Sequence, residues 1–217
     1  MNNSCNKKIY LVLSQTNTVL ARLIRIFSTE KYAHSSIAFD RMLNDMYSFG
    51  RKSLWNNLNA GFLKENLNAG VFWLHREEAT CKVLELEVTE EQYEKAREKV
   101  TEFIENDKEI HYGYNFIGLF AAAVGYPLKR KKSFFCSQFV SMVLKHGGIA
   151  EFDLPPELIR PHDMQSLSGL KVVYEGMTKD YPAYMRKEMG LPEPVLTHQK
   201  NFSPYERVLY IASRKIF

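Results

Sequence analysis

The chain has 217 residues, enough for one domain with a substantial core but too few for two average domains. Hydrophobic residues make up 45% and charged residues 25%, which is ordinary for a soluble globular protein. The formal net charge is only +4, whereas a nucleic-acid binder of this size usually concentrates far more Lys and Arg on one face. We therefore expect no nucleic-acid partner.

The apolar segments and the cysteines indicate the compartment. No segment is long and apolar enough to cross a bilayer, so we expect no transmembrane segment. The run IYLVL near the N-terminus is about half as long as the apolar part of a signal peptide, and no small-residue cleavage site follows it. Cys5, Cys81 and Cys136 form neither a disulfide framework nor a zinc pattern. We expect a cytoplasmic protein with reduced thiols, no metal and no cofactor.

The first part of the chain predicts strands with one helix between them. Residues 9–14 are typical of a strand, and residues 18–27 have apolar side chains at helical spacing. In HSSIAFD (34–40), apolar and small residues alternate, which indicates a strand, and DMYSFG (45–50) predicts its hairpin partner. Residues 52–70 show no clear period and predict a loop with a short helical turn.

The middle of the chain predicts two strands followed by a long helix. GVFWLH (70–75) and KVLELEV (82–88) are typical of strands, and the second has one polar face. Thr89 and the acidic residues after it are typical of a helix N-terminus. The helix has an apolar face that begins at Tyr93.

The last part predicts two helices and a strand. Residues 115–124 are apolar nearly all round and predict a buried helix. Residues 137–145 predict a helix that ends at a glycine pair, and residues 171–175 a final core strand. The segment 181–199 is interpreted as mostly irregular, and 207–212 as a possible edge strand. The pattern predicts a single α+β domain over residues 1–217.

Cys136 is the candidate nucleophile because it lies where the apolar pair Phe134 and Phe135 gives way to a helix. The positive end of a helix dipole favours thiolate over thiol, and the free N–H groups there can stabilise an oxyanion. The alternative is a small buried structural cysteine. Cys5 and Cys81 lack this setting and are interpreted as structural.

A thiol nucleophile needs an imidazole within hydrogen-bond reach, and the chain has six histidines, among which His34 is a candidate. It begins a predicted core strand, which can hold the ring rigidly against a helix start. His146 lies on the same helix as Cys136 but roughly 15 Å further along it. The alternative interpretation of His34 is a partly exposed histidine at a strand end.

Several segments together resemble the permuted branch of the NlpC/P60 superfamily. These papain-like thiol hydrolases include YiiX/YebB-like proteins and, more distantly, lecithin:retinol acyltransferase-like enzymes. The resemblance rests on YAHSSIAFD, YGYNFIGLF, FFCSQFVSMVLKHGGI and RPHDMQSLSGLKVVYEG, with the histidine strand before the cysteine helix. It covers most of the chain; residues 52–107 and the C-terminal tail match least.

The resemblance implies a circularly permuted papain-like fold, in which an antiparallel sheet packs against the Cys136 helix. It implies His34 as the base and places a third polar residue, which orients the imidazole, at Ser48 on the paired strand. Ser48 is a weak orienter because a hydroxyl carries no charge. Asp45 and Tyr47 are competitors for this role, and strand alternation puts Tyr47 on the opposite face from Ser48.

Tyr112 or Tyr114 is implied to line the cleft, where a phenol contacts substrate or an oxyanion; a core tyrosine is the alternative.

Two other polar segments have weaker functional interpretations. The basic run LKRKK (128–132) suggests nucleic acid or anionic lipid, but we interpret it as a solvated loop because no second basic patch supports it. His162 and Asp163 offer an alternative acid–base pair. The resemblance places them in a connecting turn, so we interpret them as structural.

The residues and the resemblance lead to one functional hypothesis and two alternatives. The hypothesis is a cysteine hydrolase that cleaves an amide bond in a small peptide, amino-acid-like or isopeptide-like substrate through a Cys–His dyad. The first alternative is an acyltransferase or lipid-acting thiol enzyme of the same fold. The second is a binding module that kept the fold without the chemistry, and the weak Ser48 favours it.

Overall fold

The computed structural model describes residues 6–16, 31–53, 56 and 59–192. The chain divides into two compact units, Met1–Tyr181 and Pro182–Phe217. Of the second unit, residues 182–192 are described. The helix predicted at 18–27 and the edge strand predicted at 207–212 lie outside the described residues, and the assignment of a single domain stays a prediction.

A mixed β-sheet is the centre of the first unit. Its strands are β1 (Lys7–Gln15), β2 (His34–Ala38), β3 (Met46–Arg51), β4 (Ala60–Glu65), β5 (Thr80–Val88), β6 (Gly113–Tyr114), β7 (Ser133–Phe134) and β8 (Lys171–Met177). Within the described residues they form one eight-stranded sheet in the order β7-β6-β4-β3-β2-β1-β5-β8. Neighbouring strands are antiparallel except β6 and β7, which are parallel.

Helices complete the α+β architecture predicted from the sequence. In the described part of the chain they are α1 (Gly70–Leu74), α2 (Glu90–Ile110), α3 (Phe116–Ala123), α4 (Cys136–His146) and α5 (Tyr181–Glu188). Thr89 and Gln92 form a reciprocal capping box at the start of α2, which satisfies two of its free N–H groups. Helix α4 packs against β2, β3 and α2, so the cysteine helix lies on the strand that carries His34.

Two predictions between residues 52 and 75 are wrong. Residues 60–65, predicted as part of a loop, form the internal strand β4 between β3 and β6. GVFWLH, predicted as a strand, contains helix α1, in which only Phe72 is buried. A short continuous apolar run fits either structure, because it shows neither a period of two nor a period of 3.6 residues.

Three predictions for the second half of the chain need correction: two concern burial and one concerns secondary structure. Residues 116–123 are helical as predicted, but α3 is not buried, since Ile117 is 61% and Phe120 44% exposed. Strand β8 is an edge strand with no fully buried residue, rather than a core strand. Residues 181–188, predicted as irregular, form α5.

Phe49 of β3 is the centre of an aromatic core. Its side chain is fully buried, and its ring centroid lies 5.4–6.2 Å from those of five other aromatic residues. These residues are Phe62, Phe103, Tyr112, Phe134 and Phe139. Phe139 belongs to α4, so this cluster holds the cysteine helix against the sheet.

The substitution Phe49→Ala is expected to lower the free energy of unfolding by about 3–5 kcal/mol, because it leaves a cavity among rings that cannot close around it. Urea denaturation gives this quantity. The matched control is Tyr126→Ala, a residue that is 63% exposed, for which a change within about 0.5 kcal/mol is expected. Equal effects of the two substitutions would contradict the central role of Phe49.

Candidate active site

Cys136 is the first residue of helix α4, as the sequence predicts within one residue. The N-cap residue Phe135 is extended and provides no side-chain hydrogen bond to the helix start. The first backbone N–H groups therefore have no cap from that side chain and are available to a developing negative charge. The cysteine itself is 2% exposed.

His34 is the first residue of β2, and its side chain interacts directly with Cys136. Nε2 of the imidazole donates to Oε1 of Glu65 at 2.9 Å, because a carboxylate can only accept. Nδ1 is then the ring nitrogen left to exchange a proton with the thiol. The imidazole interacts favourably with Cys136, as the pKa shifts of the two groups indicate, and its side chain is 22% exposed.

The electrostatics of the pair favour a thiolate next to an imidazolium. Burial alone would raise the pKa of Cys136, but the hydrogen bond and charge of His34 and the backbone N–H of Ser35 bring that pKa below its usual value. Burial alone would lower the pKa of His34, but the negative charge of Glu65 and the hydrogen bonds to Cys136 and Glu65 raise it well above its usual value. Shifts caused by a specific charge partner beside a cleft mark the pair as a candidate functional site.

Glu65, the last residue of β4, orients the imidazole. Besides the contact with His34, its Oε2 accepts a hydrogen bond from Ser36 Oγ at 2.5 Å. The strand between them has Gly50 at this point, where an added Cβ would lie 3.4 Å from Glu65 Oε1 and 3.5 Å from His34 Cε1. Any longer side chain at position 50 would occupy the space of the His34–Glu65 pair.

The prediction that Ser48 contacts and orients the His34 imidazole needs correction. The Ser48 hydroxyl is fully buried and donates to the backbone carbonyl of Ser35 at 2.7 Å, so it contributes to the sheet rather than to the imidazole. The contact expected of Ser48 belongs to Glu65. A carboxylate supplies the negative charge that the Ser48 hydroxyl lacks.

The two candidate tyrosines have different positions. The Tyr114 hydroxyl lies 4.0 Å from Cys136 Sγ. Burial, together with the charge of Cys136, raises the pKa of Tyr114 well above its usual value, so the phenol keeps its proton. The ring of Tyr112 instead packs against Phe49 and Phe103. Tyr112 is therefore a core residue, and Tyr114 is the tyrosine at the site.

A cleft of about 280 Å³ opens beside the pair. His34, Glu65 and Tyr114 line it, and the first and third of these contact Cys136. Apolar contacts come from Leu63 and Phe72. The remaining polar wall includes three cationic residues, Arg51, Lys52 and Lys64.

The other cysteine and acid–base candidates lie outside this constellation. Cys81 is a free, fully buried thiol, and burial raises its pKa to about 12, which makes it unreactive. Asp163 pairs with Arg160 in the turn before β8. Over the described residues, no group of three or more His, Cys, Asp or Glu side chains is arranged to hold a metal ion.

Comparisons with known proteins found no match. No protein-family model matches the chain, and no curated protein or solved structure is detectably similar to it. None of the helices in the described part of the chain has the length and apolar character needed to span a membrane. Function must therefore be argued from the contacts of Cys136, His34 and Glu65.

Proposed function

We propose that the protein is a thiol hydrolase that cleaves an amide bond through an acyl-enzyme intermediate on Cys136. The observation that carries this proposal is the contact series from Glu65 through His34 to Cys136, at the start of a helix and beside a cleft. The histidine strand precedes the cysteine helix, which supports membership of the permuted NlpC/P60 branch that the sequence resembles.

In the first half-reaction, the Cys136 thiolate attacks the carbonyl carbon and a sulfur–carbon bond forms. The carbonyl electron pair moves to oxygen, and the backbone N–H of Cys136 at the helix start and the Tyr114 hydroxyl, 4.0 Å from Cys136 Sγ, act as donors to this oxyanion. The tetrahedral intermediate then collapses and the carbon–nitrogen bond breaks. The leaving amine takes its proton from the His34 imidazolium, which leaves a thioester on Cys136.

In the second half-reaction, neutral His34 accepts a proton from a water molecule as that water attacks the thioester. Collapse of this intermediate releases the carboxylic acid and returns the sulfur as thiolate and His34 as imidazolium. Glu65 keeps Nε2 protonated throughout, so Nδ1 is the nitrogen that gives and takes the proton.

The size and lining of the cleft support a small substrate. A volume of about 280 Å³ lies just below the usual range for small-molecule sites, so the cleft suits a small ligand such as one or two amino-acid residues. Leu63 and Phe72 can accept an apolar side chain, while the polar wall is close to neutral because Lys52 and Lys64 are paired with Asp107 and Asp45. These features support a small peptide or amino-acid-like substrate.

The two alternative functions differ from the proposal at identifiable steps. An acyltransferase forms the same thioester but passes the acyl group to an acceptor other than water. A binding module forms no thioester at all, and its main support, the weak orienting group Ser48, is lost now that Glu65 contacts His34.

Acylation by p-nitrophenyl acetate tests the nucleophile directly. The wild-type protein is expected to release a burst of p-nitrophenolate equal to the enzyme present and to carry an acetyl group on Cys136, detected by peptide mass spectrometry. Cys136→Ala is expected to lower the burst rate by about 1,000-fold or more, since removing the nucleophile abolishes the covalent route.

The control for thiol content is Cys81→Ala, which removes a buried, unreactive thiol and should keep the burst. Cleavage of aminoacyl and dipeptidyl p-nitroanilides by the wild type would then establish amide hydrolysis. A thioester that persists in water but discharges to a lipid acceptor would instead establish acyl transfer. Absence of acetyl-Cys136 in folded wild-type protein would contradict both enzymatic functions.

A further inference from the structure

Helix α3 presents an apolar face to solvent. Ile117 is 61%, Phe120 44% and Val124, at the helix C-cap, 80% exposed. Their spacing of three and four residues places them on one side of the helix. The opposite side, which includes Leu119, packs against the core. The helix is therefore held in place by the packing of one side, and its other side leaves apolar side chains exposed to solvent.

The chain turns sharply after α3 and adds a fourth apolar side chain to this surface. The N–H groups of Gly125 and Tyr126 donate to the carbonyls of Ala122 and Ala121, which closes the helix end. Gly125 has a φ of +77°, a left-handed conformation that favours glycine. Tyr126, which follows, is 63% exposed. We call Ile117, Phe120, Val124 and Tyr126 the apolar patch.

A basic loop follows the apolar patch and is tied back to the start of the same helix. Residues 129–132, with the sequence KRKK, are all exposed. The Asn115 side chain caps α3 by accepting from the Gly118 N–H at 2.9 Å, and its Nδ2 donates to the Leu128 carbonyl at 3.4 Å. The Lys132 carbonyl accepts from the Gly113 N–H at 3.0 Å. Both ends of the basic loop are thus fixed beside α3.

The chain segment that carries the apolar patch and the basic loop has no acidic residue. No Asp or Glu occurs in the sequence between Glu109 and Glu151, while residues 129–132 carry four positive charges. Two copies of the chain that paired through this surface would bring two basic loops together, which disfavours self-association. A polyanionic partner such as a nucleic acid would pair with the basic loop but would leave the apolar patch exposed to water.

We propose that the apolar patch and the basic loop dock the protein onto the surface of an anionic lipid bilayer. The four apolar side chains insert among the lipid headgroups, and the basic loop binds the negative surface, as in interfacial helices that lie in the membrane plane. This surface does not depend on the chemistry at Cys136. It adjoins the active site in the chain, because only Asn115 separates Tyr114 from α3.

Vesicle cosedimentation of the full-length protein tests this docking surface. The protein is expected to bind vesicles of phosphatidylcholine with phosphatidylglycerol, to bind pure phosphatidylcholine far more weakly, and to lose affinity as salt is added. Lys129→Gln, Arg130→Gln and Lys131→Gln together are expected to weaken binding about 100-fold, since each cation near an anionic surface contributes about fivefold. The matched control replaces Lys95, Lys108 and Lys145 by glutamine, with the same change in net charge and near wild-type binding expected.

The apolar contribution has its own matched pair of variants. Ile117→Ser with Val124→Ser is expected to weaken binding about tenfold or more, because two exposed apolar side chains no longer insert. Leu154→Ser with Val172→Ser, at 46% and 53% exposed sites elsewhere, is expected to bind as the wild type does. Equal losses in the patch and control variants, or no binding of the wild type to anionic vesicles at low salt, would overturn the proposal.

Two further measurements separate this inference from its rivals and from the proposed chemistry. Cys136→Ala is expected to bind anionic vesicles like the wild type, so a failure of the hydrolase proposal leaves the docking test intact. Analytical ultracentrifugation without lipid is expected to show that the wild type forms no dimer through the apolar patch. A dimer of this kind would dissociate in the double variant Ile117→Ser with Val124→Ser. Such a dimer, without vesicle binding, would identify a second copy of the chain as the partner and overturn the lipid proposal.

Discussion

Replacing His34 by alanine is expected to move ionisation of the Cys136 thiol from below to above the pH at which a free cysteine ionises, about pH 8.5. Burial raises the pKa of this thiol, while the hydrogen bond and charge of His34, followed by contributions from Ser35 and Tyr114, lower it, with a net decrease. Alanine removes the contribution of His34, the largest of those that lower the pKa, and leaves burial in place. Cys81 shows the direction, because burial alone raises its pKa to about 12.

The thiolate absorbs ultraviolet light, so its population can be titrated without a substrate. The difference between each protein and the same protein carrying Cys136→Ser isolates the signal of this one thiol. In the wild type it should persist well below the range of a free cysteine, and in His34→Ala it should require alkaline pH.

The matched control for this titration is His146→Ala. His146 lies at the other end of helix α4 and contacts Glu98, so its removal deletes an imidazole without touching the pair. The Cys136 titration is expected to stay at its wild-type position in this variant. A titration that is the same in wild type and His34→Ala would show that the two side chains do not form a functional pair.

The sequence could predict the contact between His34 and Cys136 because local patterns mark each residue. Alternation in HSSIAFD identifies a strand that begins at His34, and the change from Phe134 and Phe135 to a helical pattern places Cys136 at a helix start. The prediction that the two residues meet came from the resemblance, which implies that the histidine strand packs against the cysteine helix. In the structure β2 and α4 pack together, and the two side chains interact.

The sequence could not predict Glu65 because its strand has an atypical pattern. Gly61 has no side chain because the backbone of Tyr112 lies where its Cβ would be, with the Tyr112 carbonyl oxygen only 2.0 Å from that position. Glu65 itself is buried, although an acidic residue usually marks the wet face of a strand. The segment therefore shows neither alternation nor a helical period. One signal was available: Gly50, a small residue opposite the site, leaves room for a long side chain from the next strand.

The exposure of α3 could not be read from its composition either. An apolar sequence on every side of a helix indicates burial when the driving force is transfer from water into the protein core. The same sequence also fits a helix that is anchored on one side and meets lipid on the other. The basic residues 129–132 distinguish the two cases, because they follow the helix immediately and share its surface.

Glu65→Gln is expected to lower the rate of Cys136 acylation by p-nitrophenyl acetate about 100- to 10,000-fold, the range seen when the group that orients a catalytic histidine is neutralised. Glutamine keeps the shape but loses the negative charge that raises the pKa of His34. Its amide can also donate to Nε2, which places the ring proton on Nδ1 and leaves no acceptor for the thiol proton. The single-turnover burst rate, measured across pH, reports both effects.

The acidic side of this pH–rate profile distinguishes an orienting carboxylate from a purely structural one. If Glu65 raises the pKa of His34, Glu65→Gln weakens the imidazolium, and the Cys136 thiolate should be lost at a higher pH than in the wild type. A residue that only held the sheet together would lower the free energy of unfolding and leave the profile of the folded fraction in place. Urea denaturation of the same variant separates these outcomes.

Ser48→Ala is the matched test of the residue that the sequence alone selects. Its hydroxyl donates to the Ser35 carbonyl, so the substitution is expected to cost about 1 kcal/mol of stability and to leave the burst rate and its pH profile close to wild type. Acylation that depends on Ser48 and not on Glu65 would return the orienting role to the hydroxyl. The expected result is the reverse, because the Glu65 carboxylate contacts His34, whereas the Ser48 hydroxyl does not.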